Sequence, residues 1–300
     1  MTRLKLQGSV CLITGATSGI GRASAFELAR QGLTVVLIGR NDQKSAKTAE
    51  EIISATGNSS VTHLLADLSS QRDIRSLAEQ FQSKYSRLDV LINNAGTIAW
   101  TRQLSPDGVE LTFALNHLSY FLLTNLLLDV LVSSAPARVV NVSSAAHFGA
   151  TIDLTDVQSS REYRAIRAYR QSKLANLMFT YEMARRIRGT GVTVNAVHPG
   201  LVATNLPANG KLPLSWIANP ILRSGMAMIG KGAKQGSETV VYLATSQQVS
   251  GVTGKYFVDC APASSSPLSL DREAAGQLWN ISVQLTELSS QLASQQSDNV

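Results

Sequence analysis

The sequence predicts an α/β fold in which a doubly wound, seven-stranded parallel sheet carries helices on both faces. Short apolar runs typical of buried strands alternate with segments of helical apolar spacing along most of the 300 residues. The first run leads through a turn with three glycines directly into a helical segment. Such alternation is typical of parallel sheets built from strand, helix and strand units. We expect one domain over residues 1–288 and a disordered tail over residues 289–300.

Composition limits the class of protein. Hydrophobic residues make up 44% of the chain, which is ample for a core. Neither an apolar run of the roughly 18 residues needed for a membrane span nor a signal-peptide core is found, so we expect a cytoplasmic protein. The two cysteines are expected to be reduced, and no metal site is predicted. The net charge of +6 would suit an anionic cofactor or a membrane surface, but a solvated basic surface explains most of it, and no pattern indicates nucleic-acid binding.

The glycine turn after the first strand predicts a phosphate cradle with the spacing Gly-x-x-x-Gly-x-Gly. Gly15 permits the turn, Gly19 lets the backbone approach a pyrophosphate, and Gly21 lets the helix lie close to the strand. The N-terminus of that helix then faces the phosphates. Taken alone, the loop could also be a plain turn. The candidate cofactor residues here are Gly15, Thr17, Ser18, Gly19, Ile20 and Gly21.

The second and third strands, over 34–40 and 61–66, are separated by a helix over about 42–56, and both end in residues that point to the rest of a dinucleotide. Arg40, with Lys44 one turn later, favours NADP(H) over NAD(H), because an arginine here accommodates a 2′-phosphate. The alternative for Arg40 is a solvent-facing charge. Asp67, followed by Leu68, could accept a hydrogen bond from the adenine amino group, and capping of the helix that begins near Ser69 is the competing role.

The fourth and fifth strands also end in polar residues. Asn93 and Asn94 can join neighbouring strands, and Ala95 and Gly96 leave room for a ribose. A helical stretch over 107–133 follows, in which Asn116 by itself would be a buried polar group turned towards a backbone carbonyl. The fifth strand, over 138–144, ends in two serines at 143 and 144, either of which could cap a helix.

Tyr169 and Lys173 are four residues apart and therefore lie on one face of a predicted helix. A tyrosine has an ordinary pKa of about 10, and a cation within about 4–6 Å favours the phenolate. We therefore expect Lys173 to lower the pKa of Tyr169 and make it a usable acid or base. A bare Tyr-x-x-x-Lys is common, and the glycine loop and the serine-ended strand are what make this one informative.

The glycine motif from Thr14 to Gly21, with Asn93-Asn94-Ala95-Gly96 and the Tyr-x-x-x-Lys pair, resembles the short-chain dehydrogenase/reductase family, whose fold is Rossmann-type. The resemblance implies that Asn116 binds a water of a proton relay, and that Ser144, or failing it Ser143, bonds the substrate oxygen. It further implies that Tyr169 exchanges the proton and Lys173 holds the ribose. By the same resemblance the nicotinamide site after the sixth strand, over 192–198, consists of Pro199, Gly200, Val202 and Thr204.

Further features are similar to the retinol dehydrogenase-like branch of that family. Tyr169 follows Ser144 by an unusually long interval, and the inserted residues read Ile-Asp-Leu-Thr-Asp-Val-Gln over 152–158. Gly254 to Cys260, in which the seventh strand is predicted, and Leu278-Trp279 add to the likeness. The branch implies NADP(H) and retinoids or other lipophilic carbonyl compounds as substrates. We expect the chain to depart from it in having no N-terminal membrane anchor, and it carries Ser18 where many NADP enzymes have a base.

Residues 205–231 are rich in Leu, Ile, Met, Pro and Gly, and we expect them to form an apolar lid over the substrate. A contact in a homo-oligomer or a peripheral contact with a membrane is the alternative, and the two roles are compatible. The function predicted is NADP(H)-dependent interconversion of a lipophilic alcohol and its aldehyde or ketone. A reductase of carbon–carbon double bonds and a non-catalytic NADP(H)-binding regulator remain the alternatives.

Overall fold

The computed structural model describes residues 6–200, 208–209 and 232–288. Val202, Thr204 and the tail over 289–300 therefore lie outside the described residues. The same holds for the predicted lid over 205–231, apart from residues 208–209.

Strands and helices alternate along the chain as the sequence predicts. The strands are β1 (Val10–Thr14), β2 (Thr34–Gly39), β3 (Val61–Leu65), β4 (Val90–Asn93), β5 (Ile98–Ala99), β6 (Ala137–Val142), β7 (Val192–His198), β8 (Ala208–Asn209), β9 (Tyr256–Val258) and β10 (Ala261–Ala263). The helices are α1 (Gly19–Arg30), α2 (Asp42–Thr56), α3 (Gln71–Lys84), α4 (Leu111–Phe113), α5 (Ser119–Leu126), α6 (Leu128–Ser133), α7 (Ala165–Arg186), α8 (Ala233–Thr245) and α9 (Arg272–Leu285).

The main sheet has the strand order β10-β9-β7-β6-β4-β1-β2-β3. The chain runs outward from β1 through β2 to β3 and then returns to place β4 on the other side of β1. This reversal of strand order opens a crevice at the carboxyl ends of β1 and β4, where doubly wound sheets bind their ligands. The predicted glycine loop and the Asn93 to Gly96 turn both follow strands that border this crevice.

Both faces of the sheet are buried. Along β1, Leu12 belongs to the apolar cluster that contains Phe81, Phe121 and Phe179 from α3, α5 and α7. Its neighbours Cys11 and Ile13 belong to the cluster on the opposite face, with residues of α1, α2 and α8. Because side chains alternate across a strand, a strand covered on both faces is a nearly continuous apolar run, as β1 is from Val10 to Ile13. Within the described residues, no helix combines the length and apolar character required to cross a membrane.

The expected count of seven strands is corrected to eight in the main sheet. Seven strands run parallel as predicted, and β10 adds an antiparallel edge paired with β9. The two strands are joined by Asp259 and Cys260, whose φ angles are 48° and 61°. Such hairpin turns usually carry Asn-Gly or Asp-Gly, so residue type did not predict this one. Pro262 fits the edge position, where its missing N–H breaks no ladder.

The helix expected over 107–133 is shorter and interrupted. It begins at Leu111, where the Glu110 carboxylate accepts hydrogen bonds from the backbone N–H groups of Thr112 and Phe113 at 2.8 and 2.7 Å. A π-helical segment over Ala114–Leu118 separates α4 from α5, and Leu127 separates α5 from α6. Such π segments widen a helix locally and occur frequently at functional sites.

Candidate active site

The loop after β1 forms the cradle that the sequence predicts. Gly15 and Gly19 have φ angles of 66° and 53°, in the left-handed region that glycine adopts at no steric cost. Ser18 caps α1 in an extended conformation without a side-chain hydrogen bond, and the first turn of the helix carries no acidic residue. The N–H groups of that turn are therefore free of a side-chain cap and suited to an anion. Thr17 and Ile20 lie in the same loop and first turn.

Close approach explains two further glycines. A Cβ on Gly21 would lie 2.4 Å from the Gly15 carbonyl oxygen and 2.5 Å from Nδ2 of Asn94. A Cβ on Gly39, at the end of β2, would lie 2.4 Å from the Ser45 hydroxyl and 2.9 Å from Cγ2 of Thr17. These glycines therefore bring the cradle, the end of β2 and the start of α2 together around one space.

The two asparagines after β4 join neighbouring elements. Asn93 donates hydrogen bonds to the hydroxyl of Thr124 and to Oδ1 of Asn141 on β6, both at 2.9 Å. Asn94 donates to the carbonyl of Thr14 at 2.8 Å, and the Thr14 hydroxyl accepts the backbone N–H groups of Asn94 and Ala95. The polar turn is thereby fixed against the end of β1, with Ala95 and Gly96 facing the crevice side of the sheet.

The residues expected at the adenosine end lie after β2 and β3. Arg40 and Lys44 are both exposed, Arg40 directly after β2 and Lys44 in the first turn of α2. Asp67 and Leu68 follow β3. The capping alternative for Asp67 is wrong, because the Ser70 hydroxyl caps α3 by accepting the Asp73 N–H. Asp67 instead accepts the N–H and hydroxyl of Ser69 through Oδ1, at 3.0 and 2.8 Å.

Lys173 is buried in the centre of the site, with 4% of its surface exposed. Its Nζ donates to the carbonyl of Val142 at the end of β6, at 3.2 Å. The ammonium lies 5.8 Å from the ring centre of Tyr120 and 5.7 Å from that of Tyr169. Burial lowers the pKa of Lys173 to about 8. A Cβ on Gly96 would lie 3.6 Å from Nζ, so the glycine turn after β4 approaches this amine closely.

Tyr169 lies beside Lys173 on α7, as the four-residue spacing predicts, but the expected direction of its pKa shift is wrong for the chain by itself. Burial raises the pKa of Tyr169, and an interaction with the Ser144 side chain opposes that rise. The Lys173 ammonium lies 5.7 Å from the centre of the ring. At neutral pH the phenol is therefore protonated and can donate a proton.

The two serines at the end of β6 differ in what they contact. The Ser143 hydroxyl is buried and donates to the backbone carbonyl of Lys173 at 2.8 Å. The Ser144 hydroxyl accepts the N–H of Ala146 at 3.1 Å and interacts with Tyr169. Because the Ser143 hydroxyl is already committed to α7, Ser144 is the serine whose proton is available beside the tyrosine.

Asn116 lies in the π-helical segment and is fully buried. Its Oδ1 accepts the Thr97 N–H at 2.7 Å, and its Nδ2 donates to the Thr97 carbonyl and the Ser172 hydroxyl, both at 2.9 Å. The side chain is turned to a backbone carbonyl, as the residues alone suggest. It also links the loop after β4 to α7 one residue from Lys173, and its Oδ1 would lie 3.3 Å from a Cβ on Gly96.

Pro199 and Gly200 follow β7, and Gly200 has a φ of 83°. The other two residues of the predicted nicotinamide site, Val202 and Thr204, lie outside the described residues. Sequence reasoning missed Thr14, whose hydroxyl fixes the turn after β4, and Tyr120, which donates to the Ala95 carbonyl at 2.8 Å. Thr14 is the first residue of the glycine motif, and this position was the available signal.

A glycine cradle at the crevice of a doubly wound sheet is typical of a nucleotide-binding protein. Together with the neighbouring cluster of Ser144, Tyr169 and Lys173, it defines the class as a nucleotide-binding oxidoreductase. The sequence model of the short chain dehydrogenase family matches residues 9–211, and this chain belongs to that family. It is an alcohol and carbonyl oxidoreductase of retinol dehydrogenase-like type.

Several curated relatives are similar over almost the whole chain. Mouse (Mus musculus) retinol dehydrogenase 12 is 42% identical over 286 residues, which cover 95% of this chain and 88% of the relative. Human (Homo sapiens) retinol dehydrogenase 14 is 40% identical, with 92% of this chain and 86% of the relative covered.

Solved structures share the fold. An uncharacterized protein from Mycobacterium paratuberculosis is 31% identical with a TM-score of 0.73, covering 95% of this chain and 98% of that chain. The RhlG/NADP active-site complex of Pseudomonas aeruginosa is 27% identical with a TM-score of 0.68, covering 84% of this chain and 95% of that chain.

Proposed function

We propose that this chain uses NADP(H) to interconvert a lipophilic alcohol, of retinoid or steroid type, and its aldehyde or ketone. The observation that carries the proposal is the cluster of the Ser144 hydroxyl, the Tyr169 phenol and the buried Lys173 ammonium beside the glycine cradle. We further propose that residues 1–288 act as one domain and that the protein works in the cytoplasm. A lid, an oligomer contact or a membrane contact at 205–231 stays a prediction.

The cradle fits a dinucleotide. Its two left-handed glycines and the uncapped N-terminus of α1 suit a pyrophosphate. Asp67, after β3, would accept a hydrogen bond from the adenine amino group. Arg40 and Lys44 are exposed at the end of β2, and within the described residues neither side chain forms an ion pair with a carboxylate. An unpaired arginine in this place supports a 2′-phosphate, and thus NADP(H). When bound, the nicotinamide supplies or accepts a hydride.

The chain's own residues would handle the substrate oxygen and its proton. The Ser144 hydroxyl accepts the Ala146 N–H and interacts with Tyr169, and it would donate its own proton in a hydrogen bond to a carbonyl oxygen. Tyr169 is protonated at neutral pH and would donate its proton to the same oxygen during reduction. Lys173, with a pKa of about 8, is mostly charged at pH 7 and would bind the ribose. Asn116 would hold a water that returns a proton to Tyr169 after the phenol has donated its own.

Support for a lipophilic substrate comes from the relatives, which are retinol dehydrogenases. Support for Ser144 over Ser143 comes from the hydrogen bond of Ser143 to the Lys173 carbonyl. Reduction is the direction that a protonated Tyr169 favours. A carbonyl reductase needs the serine, whereas a reductase of carbon–carbon double bonds does not.

The test is NADPH consumption with a panel of lipophilic aldehydes and ketones, including retinal, for the wild type and Tyr169→Phe. General acid catalysis contributes about 10²–10⁴-fold, so the variant should lose at least about 100-fold in kcat and still bind NADPH. Tyr242→Phe is the matched control. It removes a hydroxyl on α8 that is bonded to Gln248, and it should keep full activity.

Two results would overturn the proposal. A Tyr169→Phe variant with wild-type kcat would show that the phenol is not the proton donor. A wild type that binds NADPH yet reduces no carbonyl compound, while it reduces activated carbon–carbon double bonds or reduces nothing, would instead support the double-bond reductase or the regulator.

A further inference from the structure

The turn after β6 contains a histidine whose ring is bonded to the backbone of Ser144. His147 is fully buried, and its Nδ1 lies 2.6 Å from the Ser144 carbonyl oxygen. We propose that His147 is a positioning residue that fixes the backbone of Ser144 and so aims its hydroxyl at the substrate oxygen and Tyr169. This role rests on the proposed carbonyl chemistry of Ser144.

The hydrogen bond fixes the tautomer of the ring. A carbonyl oxygen only accepts, so Nδ1 carries the proton and Nε2 carries the lone pair. The same carbonyl also accepts the backbone N–H of His147 at 3.2 Å. The ring and the backbone of His147 therefore both hold the Ser144 carbonyl, which closes the short turn over Ala145–His147.

The ring has little freedom to leave this bond. It packs against Phe148 with ring centres 4.1 Å apart and against the edge of Tyr256 with ring centres 4.9 Å apart. Tyr256 is buried on β9, so the ring is held between the turn and the main sheet. A side chain whose rotamer is held by packing positions a bonded partner more strictly than a free one does.

The buried surroundings of His147 also determine the charge of its ring. Burial lowers the pKa of His147, and within the described part of the chain its Nε2 has no hydrogen-bond partner. A second proton would place an unpaired cation in the interior, which is strongly unfavourable. The ring therefore stays neutral at working pH and keeps Nδ1 as the donor to Ser144.

The hydrogen bond from His147 to the Ser144 carbonyl affects the direction of the Ser144 hydroxyl. Ser144 has an extended backbone, with φ of −163° and ψ of 155°, and its Oγ accepts the N–H of Ala146 within the same turn. The backbone torsions of Ser144 set the direction of its Cβ and thus of Oγ. If the ring donor is removed, the Ser144 carbonyl loses one of its two hydrogen bonds and the turn loosens beside the reacting atoms.

The experiment compares His147→Asn with His147→Gln. Both variants lose the ring and its packing, but the asparagine amide can reach the position of Nδ1, whereas the glutamine amide reaches that of Nε2. Relative to His147→Asn, His147→Gln should lose about 10-fold in kcat for retinal, the value of one hydrogen bond, with an unchanged KM for NADPH. In a Ser144→Ala background the two variants should be equally active. His63→Asn and His63→Gln, at a partly exposed histidine on β3 paired with Asp42, are the controls.

A second measurement does not require a substrate. The Ser144 interaction opposes the rise in the pKa of Tyr169, so Ser144→Ala should raise that pKa further, as followed by NMR of protein labelled at tyrosine Cζ and assigned with Tyr169→Phe. His147→Gln should raise it as Ser144→Ala does, and His147→Asn should not.

Equal kcat values for the two His147 variants, or an undiminished difference between them in the Ser144→Ala background, would overturn the positioning role. A Tyr169 pKa that is the same in both variants would overturn it as well. If the wild type reduces no carbonyl compound, the proposed function fails, and the NMR titration alone then decides whether His147 positions Ser144.

Discussion

Replacement of Lys173 by methionine should abolish activity and stabilise the protein at neutral pH. Within the described residues Lys173 forms no ion pair with a carboxylate, and burial lowers its pKa from 10.5 to about 8. At 1.36 kcal/mol per pKa unit, burying the charged form costs folding about 3 kcal/mol. The variant also loses the hydrogen bond to the Val142 carbonyl, which lowers its stability by about 1 kcal/mol. The expected net gain for Lys173→Met is about 2 kcal/mol at pH 7.5.

The pH dependence gives the sharper test. Between pH 8 and 10.5 the unfolded chain keeps the Lys173 proton that the folded chain has released, so wild-type stability rises with pH in this window. The variant lacks this titration. Its free energy of unfolding relative to the wild type should therefore fall by about 2 kcal/mol between pH 7.5 and 9.5.

The assay is urea unfolding of both proteins at the two pH values, with the slopes compared to confirm two-state behaviour. Taking the difference between the two proteins cancels the other groups that titrate in this range. The reasoning is refuted if Lys173→Met is the less stable protein at pH 7.5, or if the difference is the same at both pH values.

Two further predictions concern the cradle. Arg40→Ala should lower the ratio of kcat/KM for NADPH to that for NADH by about 10- to 100-fold, because a hydrogen bond to a charged group is worth about 1.5–3 kcal/mol. Arg72→Ala, at an exposed arginine on α3, is the control. An unchanged ratio in Arg40→Ala would show that Arg40 does not bind a 2′-phosphate. Gly21→Ala should lose NADPH binding and about 1–3 kcal/mol of stability, since its Cβ would lie 2.4 Å from the Gly15 carbonyl oxygen. Gly276→Ala on α9, where a Cβ meets open space, should instead gain about 0.5–1 kcal/mol, and similar melting temperatures for the two alanine variants would contradict the close approach at Gly21.

Local pattern was sufficient for most of the fold. A strand buried on both faces is a nearly continuous apolar run, which is why β1, β2 and β4 could be predicted from residue type alone. The helix expected over 42–56 has the same bounds as α2, because Asn41 caps its start and Gly57 ends it in a left-handed conformation. The turn into β10 carried no such signal, since Asp259 and Cys260 adopt positive φ angles without a glycine.

Part of the site was also predictable. Periodicity alone places Tyr169 and Lys173 on one face of a helix, and the glycine spacing predicts the cradle. The choice between Ser143 and Ser144 depends on which hydroxyl is bonded to the α7 backbone and which lies beside the Tyr169 side chain, and neither residue type nor spacing contains that information. His147 was missed for the same reason, because a histidine after a strand has no pattern of its own.

The sequence by itself determined the order of strands and helices, the glycine loop and the identity of the polar residues that follow each strand, since these depend on periodicity and backbone freedom over a few residues. Only the tertiary structure decided which of those polar groups meet and what charge they carry. Lys173 has a lowered pKa and Tyr169 a raised one because α7 is packed against β6 and the π-helical segment, and burial of this kind is set by elements distant in sequence.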